Sequence, residues 1–595
     1  MRLLAGLALS LLLSGAPRTV DELWAGFDAR GLPLEPEVAQ EWKRDSLTIR
    51  RIYYTSEISS GHKVRVIGYY GFPAQPGKMP GILHIHGGGQ TATREYVEYW
   101  AKRGYAALSI NWGGYPLERD PAQGNTDWGP IKAAQRDTTN TYRVTPDARV
   151  NSWYHWTIAC RRGLTFLEQQ MEVDPSRLGI FGVSMGGRLT WLVAGLDRRV
   201  KAAASVYGAV KMSEPLDGIP GSEQVHFEPA DREIWRGTLD AEAYAPRIQC
   251  PFLFLSATDD FYGAMDLVAR VVANIPHKNR WMTFTPHFNH HVAPEQSAAL
   301  PLFMDRWLKD GPAWPATPQI RLELKGTPRA VVTADRPRQV RKISIYCSSD
   351  PYPQSRFWRL AAAPRLQLSE TGNGLYAFAN VLYASGLSLS TPVASATAED
   401  LRKANIKAND PPVRLVDDFQ TGWEGWFVYQ ATPNLLLGDK TFFRIVEGPE
   451  GGKALEAHED QGPNWKFSTR KTGDPKWRGP DGAALKFRIR AAQQNRIVVV
   501  AVENEFRRPH KTRTFLAEVP VEGGGRWQVV QLPLSTFRAH EGGETLPSWR
   551  NVNLLSIQSQ YSYRAGTADP RESRSVGEKW QGPPPAITRI EWTLD

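Results

Sequence analysis

The chain has 595 residues, 41% hydrophobic and 23% charged, a formal net charge of +10 and three cysteines. That length exceeds what one hydrophobic core supports, so two or three domains are expected, and the composition excludes a disordered or collagen-like chain. Cys160, Cys250 and Cys347 are too few and too scattered for a disulfide framework or a cysteine metal site, and read as buried packing residues.

At the N-terminus Arg2 precedes an apolar run from Leu3 to Leu13, followed by Ser14, Gly15 and Ala16. Residues 1–16 therefore have the layout of a secretory signal peptide, too short to cross a bilayer. No later apolar run is long enough to do so. The expectation is an exported protein, secreted or periplasmic, with no membrane span. Basic residues are spread along the chain, most densely in Arg507 to Arg513, RRPHKTR. That run reads as a solvated loop or strand face, with an acidic polysaccharide as the alternative contact; no nucleic-acid motif is present, so no nucleic acid is expected as a partner.

From about Asp45 to Asp310, apolar runs of strand length alternate with helical patterns. VRVIGYYGFP, GILHIHGG, AALSINW, LGIFGVS, KAAASVYG, PFLFLSA and RWMTFTP read as strands, and REYVEYWAKRG and WYHWTIACRRGLTFLEQQ as helices. The alternation predicts a mostly parallel, doubly wound sheet covered on both faces, an α/β domain over residues 17–312. Lys211 to Arg247 fits neither pattern and is a candidate lid. The Pro- and Gly-rich KDGPAWPATPQ, Lys309 to Gln319, closes the domain. Short strands then suggest a small immunoglobulin- or fibronectin-like β-sandwich over 318–395. A third region, 413–595, has strand runs such as RIVVVAVE and WQVVQLPL between turn residues, which suggests a jelly-roll sandwich. Trp423, Trp426, Trp465, Trp477, Trp527, Trp549, Trp580 and Trp592 fall there, and an exposed subset would offer faces for sugar rings.

Gly182-Val183-Ser184-Met185-Gly186 fits G-x-S-x-G between a strand and a helix, a strained turn that lifts a serine hydroxyl out of a sheet. A serine nucleophile needs a base, and the base an orienting acid, in the chain order Ser, Asp, His. PFLFLSATDDFYG ends a strand in Asp259 and Asp260, and RWMTFTPHFNHHVAPE ends one near His287, His290 and His291. Asp260 is favoured over Asp259 as the acid, because it completes a turn of the Gly-x-x-Asp type with Ala257 in the glycine position. His290, after the turn-forming Asn289, is favoured over His291 and His287 as the base. Donors for a developing oxyanion are expected from the backbone of Met185 and, after HIHGGG, of Gly88 or Gly89. Trp112, following AALSINW, lines the pocket or belongs to the core. A zinc site drawn from His84, His86 and the later histidines lacks metal-ligand spacing and leaves the serine unexplained, so neither metal nor organic cofactor is expected.

With these motifs in hand, residues 50–310 resemble the α/β-hydrolase superfamily, and within it acetyl xylan esterases and dienelactone-hydrolase-like proteins. The resemblance is carried by HIHGGG, VDPSRLGIFGVSMGGRLT, RRVKAAASVYG and LSATDDFYG. It implies Ser184 as nucleophile, an Asp of ATDD as acid and a His of NHH as base. LVDDFQTGWEGW and WQVVQLPLSTF resemble carbohydrate-binding β-sandwich modules, in which Asp417, Asp418 and Asp595 would be candidate calcium ligands, surface or turn carboxylates being the simpler reading. The expectation is an exported serine esterase that removes acyl, above all acetyl, groups from polysaccharides or oligosaccharides. The alternatives are a serine peptidase built on the same fold and a non-catalytic glycan-binding protein.

Overall fold

A computed structural model describes residues 15–75, 77–131, 133, 141–215, 221, 223–428, 435–437, 441–564 and 573–594. Residues 1–14 of the leader-like segment and Asp595 lie outside them.

Nine strands form the sheet of the first region. They are β1 (Glu37–Arg44), β2 (Leu47–Ser59), β3 (His62–Pro73), β4 (Met79–Ile85), β5 (Ala106–Ile110), β6 (Val173–Val183), β7 (Val200–Val206), β8 (Phe252–Ala257) and β9 (Arg280–Thr285). Their order in the sheet is β1-β2-β3-β5-β4-β6-β7-β8-β9. From β5 to β9 every neighbour is parallel, and β1, β2 and β3 extend the sheet antiparallel at the β5 side. Strands β4, β5 and β8 are buried along their whole length, which is why they read as unbroken apolar runs. The helices Arg94–Lys102, Ser152–Glu168, Met185–Leu196 and Ala299–Leu308 supply buried side chains to two apolar cores that also draw on the strands. Strand order reverses at β4, whose neighbours are β5 and β6, and a crevice opens beyond the carboxyl ends of strands at such a switch point. Ile85 pairs with Gly182 there, so the loops after β4 and β6 emerge side by side.

Strands β1 and β2 are absent from the sequence reading. β1 is exposed along nearly all its length, so no alternation marks it, and β2 carries a register shift between Thr55 and Glu57 that breaks its period. The lid-like Lys211 to Arg247 forms the short helices Pro229–Thr238 and Ala241–Tyr244, with 216–220 and 222 outside the described residues.

Strands of the region expected as a small sandwich over 318–395 continue the sheet of the first region. Ser390 pairs with Met282 of β9, and the strands Ser388–Ser390, Leu375–Tyr383 and Val340–Ser348 continue the same sheet. Side chains stitch the seam: Phe284 N–H donates to Ser390 Oγ at 2.8 Å and the Asn380 amide to Phe284 O at 2.9 Å. Val381, Tyr383, Leu387 and Leu389 share one core with Trp281 and Phe303. Covering the edge of β9 removes an exposed row of unpaired backbone groups, which is the physical reason for the fusion. A smaller core around Ile345, Leu366 and Leu375 belongs to this region alone.

The described residues of 413–594 form two six-stranded antiparallel sheets packed face to face around Phe467, Phe487, Val499, Ile557 and Ile587, and a two-stranded sheet of Gln560–Arg564 and Ser573–Gly577. In the strand Asn495–Glu503, Ile497, Val499 and Ala501 face that core. Val498, Val500 and Val502 join Phe427 and Leu554 in a second cluster with Ala257 and Phe288 of the first region. The strand is apolar on both faces because its outer face is buried against the first region. Five of the eight tryptophans named above are buried and Trp477 and Trp527 are half-buried, which leaves Trp423, 38% exposed, as the open ring. Asp417 is held by Lys471 and the Trp426 indole, and Asp418 caps Gln420 N–H, so both are turn carboxylates already engaged within the chain. The basic run is engaged as well: Arg507 pairs with Asp350, Arg508 donates to Glu223 O and Arg513 pairs with Glu503. All three cysteines are buried and unbridged. Among the described residues no helix is long and apolar enough to cross a membrane.

Candidate active site

Ser184 stands between the end of β6 and the helix Met185–Leu196 with φ 58° and ψ −117°, a region that a residue with a side chain occupies only when its surroundings impose it. Its own N–H donates to Val206 O at 2.8 Å and its carbonyl accepts from Arg188 N–H at 3.0 Å. The turn is so tight that a Cβ on Gly182 would lie 2.1 Å from Gly186 O, which requires the glycine two residues before the serine.

His290 Nε2 lies 2.8 Å from Ser184 Oγ, and its Nδ1 lies 2.8 Å from Asp260 Oδ2. With Asp260 ionised, Nδ1 carries the proton and Nε2 is left to accept from the serine hydroxyl. Asp260 has no exposed surface, and its Oδ1 accepts the N–H groups of Tyr262 and Gly263 at 2.7 and 2.9 Å. The rings of Tyr207 and Phe261, at 4.2 and 4.7 Å, flank the imidazole and limit its rotation.

The neighbouring candidates point elsewhere. Asp259, also fully buried, accepts from the Thr258 hydroxyl at 2.9 Å and faces Arg470 Nε at 3.1 Å. Burial pushes its carboxyl up to about 7, although the Arg470 guanidinium acts in the opposite direction. His291 is buried with its ring against Phe288 and Phe442. His287 stacks on Phe357 and its Nε2 meets Glu424 Oε1 at 3.1 Å. Of the paired alternatives, the structure brings Asp260 and His290 to Ser184.

The loop after β4 lies against the serine: a Cβ on Gly87 would be 3.2 Å from Ser184 Cβ. Gly87 N–H is taken by Gln90 Oε1 at 2.8 Å, Gly88 is half-buried next to it, and Gly89, at φ 69°, turns the chain outward with its carbonyl held by Arg119. Met185 opens the helix on the other side. Trp112 is corrected as a pocket residue: it has no exposed surface, stacks on His86 at 4.9 Å and donates its indole N–H to His86 O at 3.0 Å. It shapes the glycine loop from below. His84 and His86 are buried and kept neutral, pushed down to about 3 and about 4, and His84 Nδ1 bonds the Ser109 hydroxyl at 2.9 Å. No group of three histidine, cysteine or carboxylate side chains suited to a metal occurs among the described residues.

The sequence reading missed two residues from beyond the first region. Gln354 donates its amide to Asp260 O and Phe261 O, each at 2.9 Å, and Arg470 pairs with Asp259. Neither sits in a motif, and no local pattern announces a contact made across so much chain.

Residues 66–291 match the model of the dienelactone hydrolase family. An acetyl esterase from Xylanibacter ruminicola is 28% identical over 209 residues, 33% of this chain and 46% of that protein. A relative from Methylorubrum extorquens is 31% identical over 142 residues, 24% of this chain and 44% of its own length. The chain thus spans about half the length of the curated relatives it matches. Among solved structures, an acetyl xylan esterase from Paenibacillus sp. R4 aligns with a TM-score of 0.36 at 20% identity, covering 47% of this chain and 91% of that one. One from Thermoanaerobacterium sp. JW/SL YS485 aligns with a TM-score of 0.36 at 17% identity, covering 49% and 95%.

Proposed function

We propose, from the premise that residues 66–291 are a dienelactone hydrolase family domain with the α/β-hydrolase fold, that the protein is an exported serine esterase acting on acylated, chiefly acetylated, polysaccharides or oligosaccharides. The observation that carries the reading is the pair of 2.8 Å contacts linking Ser184, His290 and Asp260. In this reading Ser184 Oγ attacks the ester carbonyl while His290 Nε2 takes its proton. Asp260 holds the imidazole and stabilises its charged form. The backbone N–H groups of Met185 and of Gly88 or Gly89 receive the developing oxyanion. His290 returns the proton to the leaving sugar hydroxyl, and water then cleaves the acyl-enzyme by the same route. None of these steps calls for a metal or organic cofactor.

The carbohydrate part of the reading is supported by a cleft of about 510 Å³ on the C-terminal sandwich. Its lining joins Asn464, Gln558 and Gln560 amides, the Ser556 hydroxyl and the rings of Phe506 and Tyr561 with the charged Lys466, Glu505 and Arg508 and the apolar Val500, Val502 and Leu554, a mixed surface with groups that can bond and stack on a polyol. Arg508, also on its wall, holds Glu223 O, and the neighbouring Gln224 holds Phe261 O beside His290, so cleft and serine are linked by a short chain of contacts. On this view 413–595 is a jelly-roll module and 318–395 an immunoglobulin-like one fused to the catalytic sheet. Export rests on the leader-like residues 1–16.

The test is hydrolysis of 4-nitrophenyl acetate, butyrate and octanoate, and acetate release from acetylated xylan, by the full-length protein and by Ser184→Ala. Preference for acetate, release from xylan and an inactive variant are expected. Full activity in Ser184→Ala, or inactivity of the wild type on every ester, overturns the reading.

A further inference from the structure

Asp259 and Asp260 are consecutive, and neither has exposed surface. Two buried carboxylates side by side are tolerated only if each charge is met separately or given up to a proton; Asp259, pushed up to about 7 by burial, carries its charge above that pH. Asp260 is met by two backbone N–H groups and by His290. Asp259 has the Thr258 hydroxyl and, as its cationic partner, Arg470 of the C-terminal sandwich at 3.1 Å.

We propose that Arg470 is a positioning residue for the Ser184, His290 and Asp260 relay, acting through Asp259; the proposal rests on the esterase reading above. The guanidinium is itself fixed. It is 1% exposed, Nη1 lies 2.5 Å from Glu505 Oε2, and its plane lies near the rings of Phe427 and Phe506. Glu505 is pinned in turn by Asn553, whose side chain bonds both Glu505 N–H and Glu505 O at 2.8 Å. Arg470 directly follows the strand Lys466–Thr469, paired within its sheet, so the cation is presented from a rigid platform.

What it holds is the junction of the acid turn and the base loop. Asp259 N–H donates to Phe288 O at 3.2 Å, Thr258 N–H to Thr285 O at 3.0 Å, and His287 N–H to the Thr258 hydroxyl at 2.9 Å. A shift of Asp259 therefore moves Asp260, the next residue, together with the segment that carries His290. Without the cation, Asp259 escapes burial of an unmatched charge by taking a proton or by turning away, and either change loosens the Thr258 lock. The C-terminal sandwich then contributes to the geometry of catalysis, in addition to any contact it makes with the glycan.

The experiment uses the full chain and four proteins: wild type, Arg470→Met, Arg470→Met with Asp259→Asn, and Arg470→Lys. For each, kcat and KM on 4-nitrophenyl acetate, the second-order rate of Ser184 labelling by a fluorophosphonate, and the melting temperature are measured. Arg470→Met is expected to lower kcat and the labelling rate about 10- to 100-fold, inside the roughly 2- to 150-fold range of couplings between contacting residues, with KM within about 2-fold. Removing both charges is expected to restore most of the loss, because a buried amide needs no cation. A role confined to packing would instead make the double variant the worse of the two. Labelling and kcat of Arg470→Met within about 2-fold of wild type, or a double variant below the single one, overturns the proposal. If Arg470→Met does not fold, Arg470→Lys decides: it keeps the charge but loses the fork that spans Asp259 and Glu505, and wild-type labelling by it overturns the proposal. A wild type that takes the label but cleaves no ester overturns the esterase reading alone, and Arg470 is then judged on labelling. A wild type that takes no label overturns both.

Discussion

Gly182 and Gly186 approach so closely across the turn at Ser184 that a Cβ on the first would meet the carbonyl oxygen of the second at 2.1 Å. Backbone cannot yield there as a flexible side chain would. Gly182→Ala is therefore expected to cost about 1–3 kcal/mol or more in stability, as overpacking does, and to displace Ser184 from His290. Chemical denaturation and fluorophosphonate labelling check both; an alanine variant with wild-type stability and labelling would refute the close approach.

The two adjacent aspartates should separate cleanly. Asp260→Asn is expected to lower kcat about 10⁴-fold, because an amide holds the wrong imidazole tautomer, and Ser184→Ala about 10⁶-fold. Asp259→Asn should lose less than about tenfold, since its carboxylate touches no reacting group. Equal losses at Asp259 and Asp260 in 4-nitrophenyl acetate hydrolysis would reverse the assignment.

Trp112 is fully buried and bonded to the carbonyl of His86, the residue before the glycine loop. Trp112→Ala is expected to destabilise the protein by about 3–5 kcal/mol, the cost of emptying a large buried site. Trp112→Phe should leave the ratio of activities on acetate, butyrate and octanoate unchanged. A changed ratio in a stable Phe variant would return Trp112 to the pocket.

His84 and His86 make the fold acid-sensitive in a defined direction. Burial depresses both from the ordinary 6.5 to about 3 and about 4, so below pH 6.5 the unfolded chain binds protons that the folded one does not. Their contribution is complete above pH 6.5 and is lost as pH falls toward 4, at up to about 1.4 kcal/mol per pH unit for each ring. Denaturation at pH 7.5, 6 and 5 should show the decline, and His84→Asn should flatten it by one ring's share. An unchanged slope in that variant would mean that His84 is not buried neutral.

The alternation from β3 to β9, the turn at Ser184 and the glycine loop are legible in the residues alone. These are local: a strand buried on both faces must be a continuous apolar run, and a tight strand-to-helix turn admits only glycine two residues before and after its serine. Which carboxylate and which imidazole meet Ser184 emerges only in the folded chain. Asp259 and Asp260, like His290 and His291, are consecutive residues at turns. Their side chains diverge, and the direction each takes is set by partners far along the chain, Arg470 and Gln354 for the acid turn and Phe442 for His291. The same reason explains the fused sheet at Ser390 and the sandwich docked through Val498, Val500 and Val502. An apolar run tells that a face is buried, whereas the surface that buries it is known only once the chain has folded.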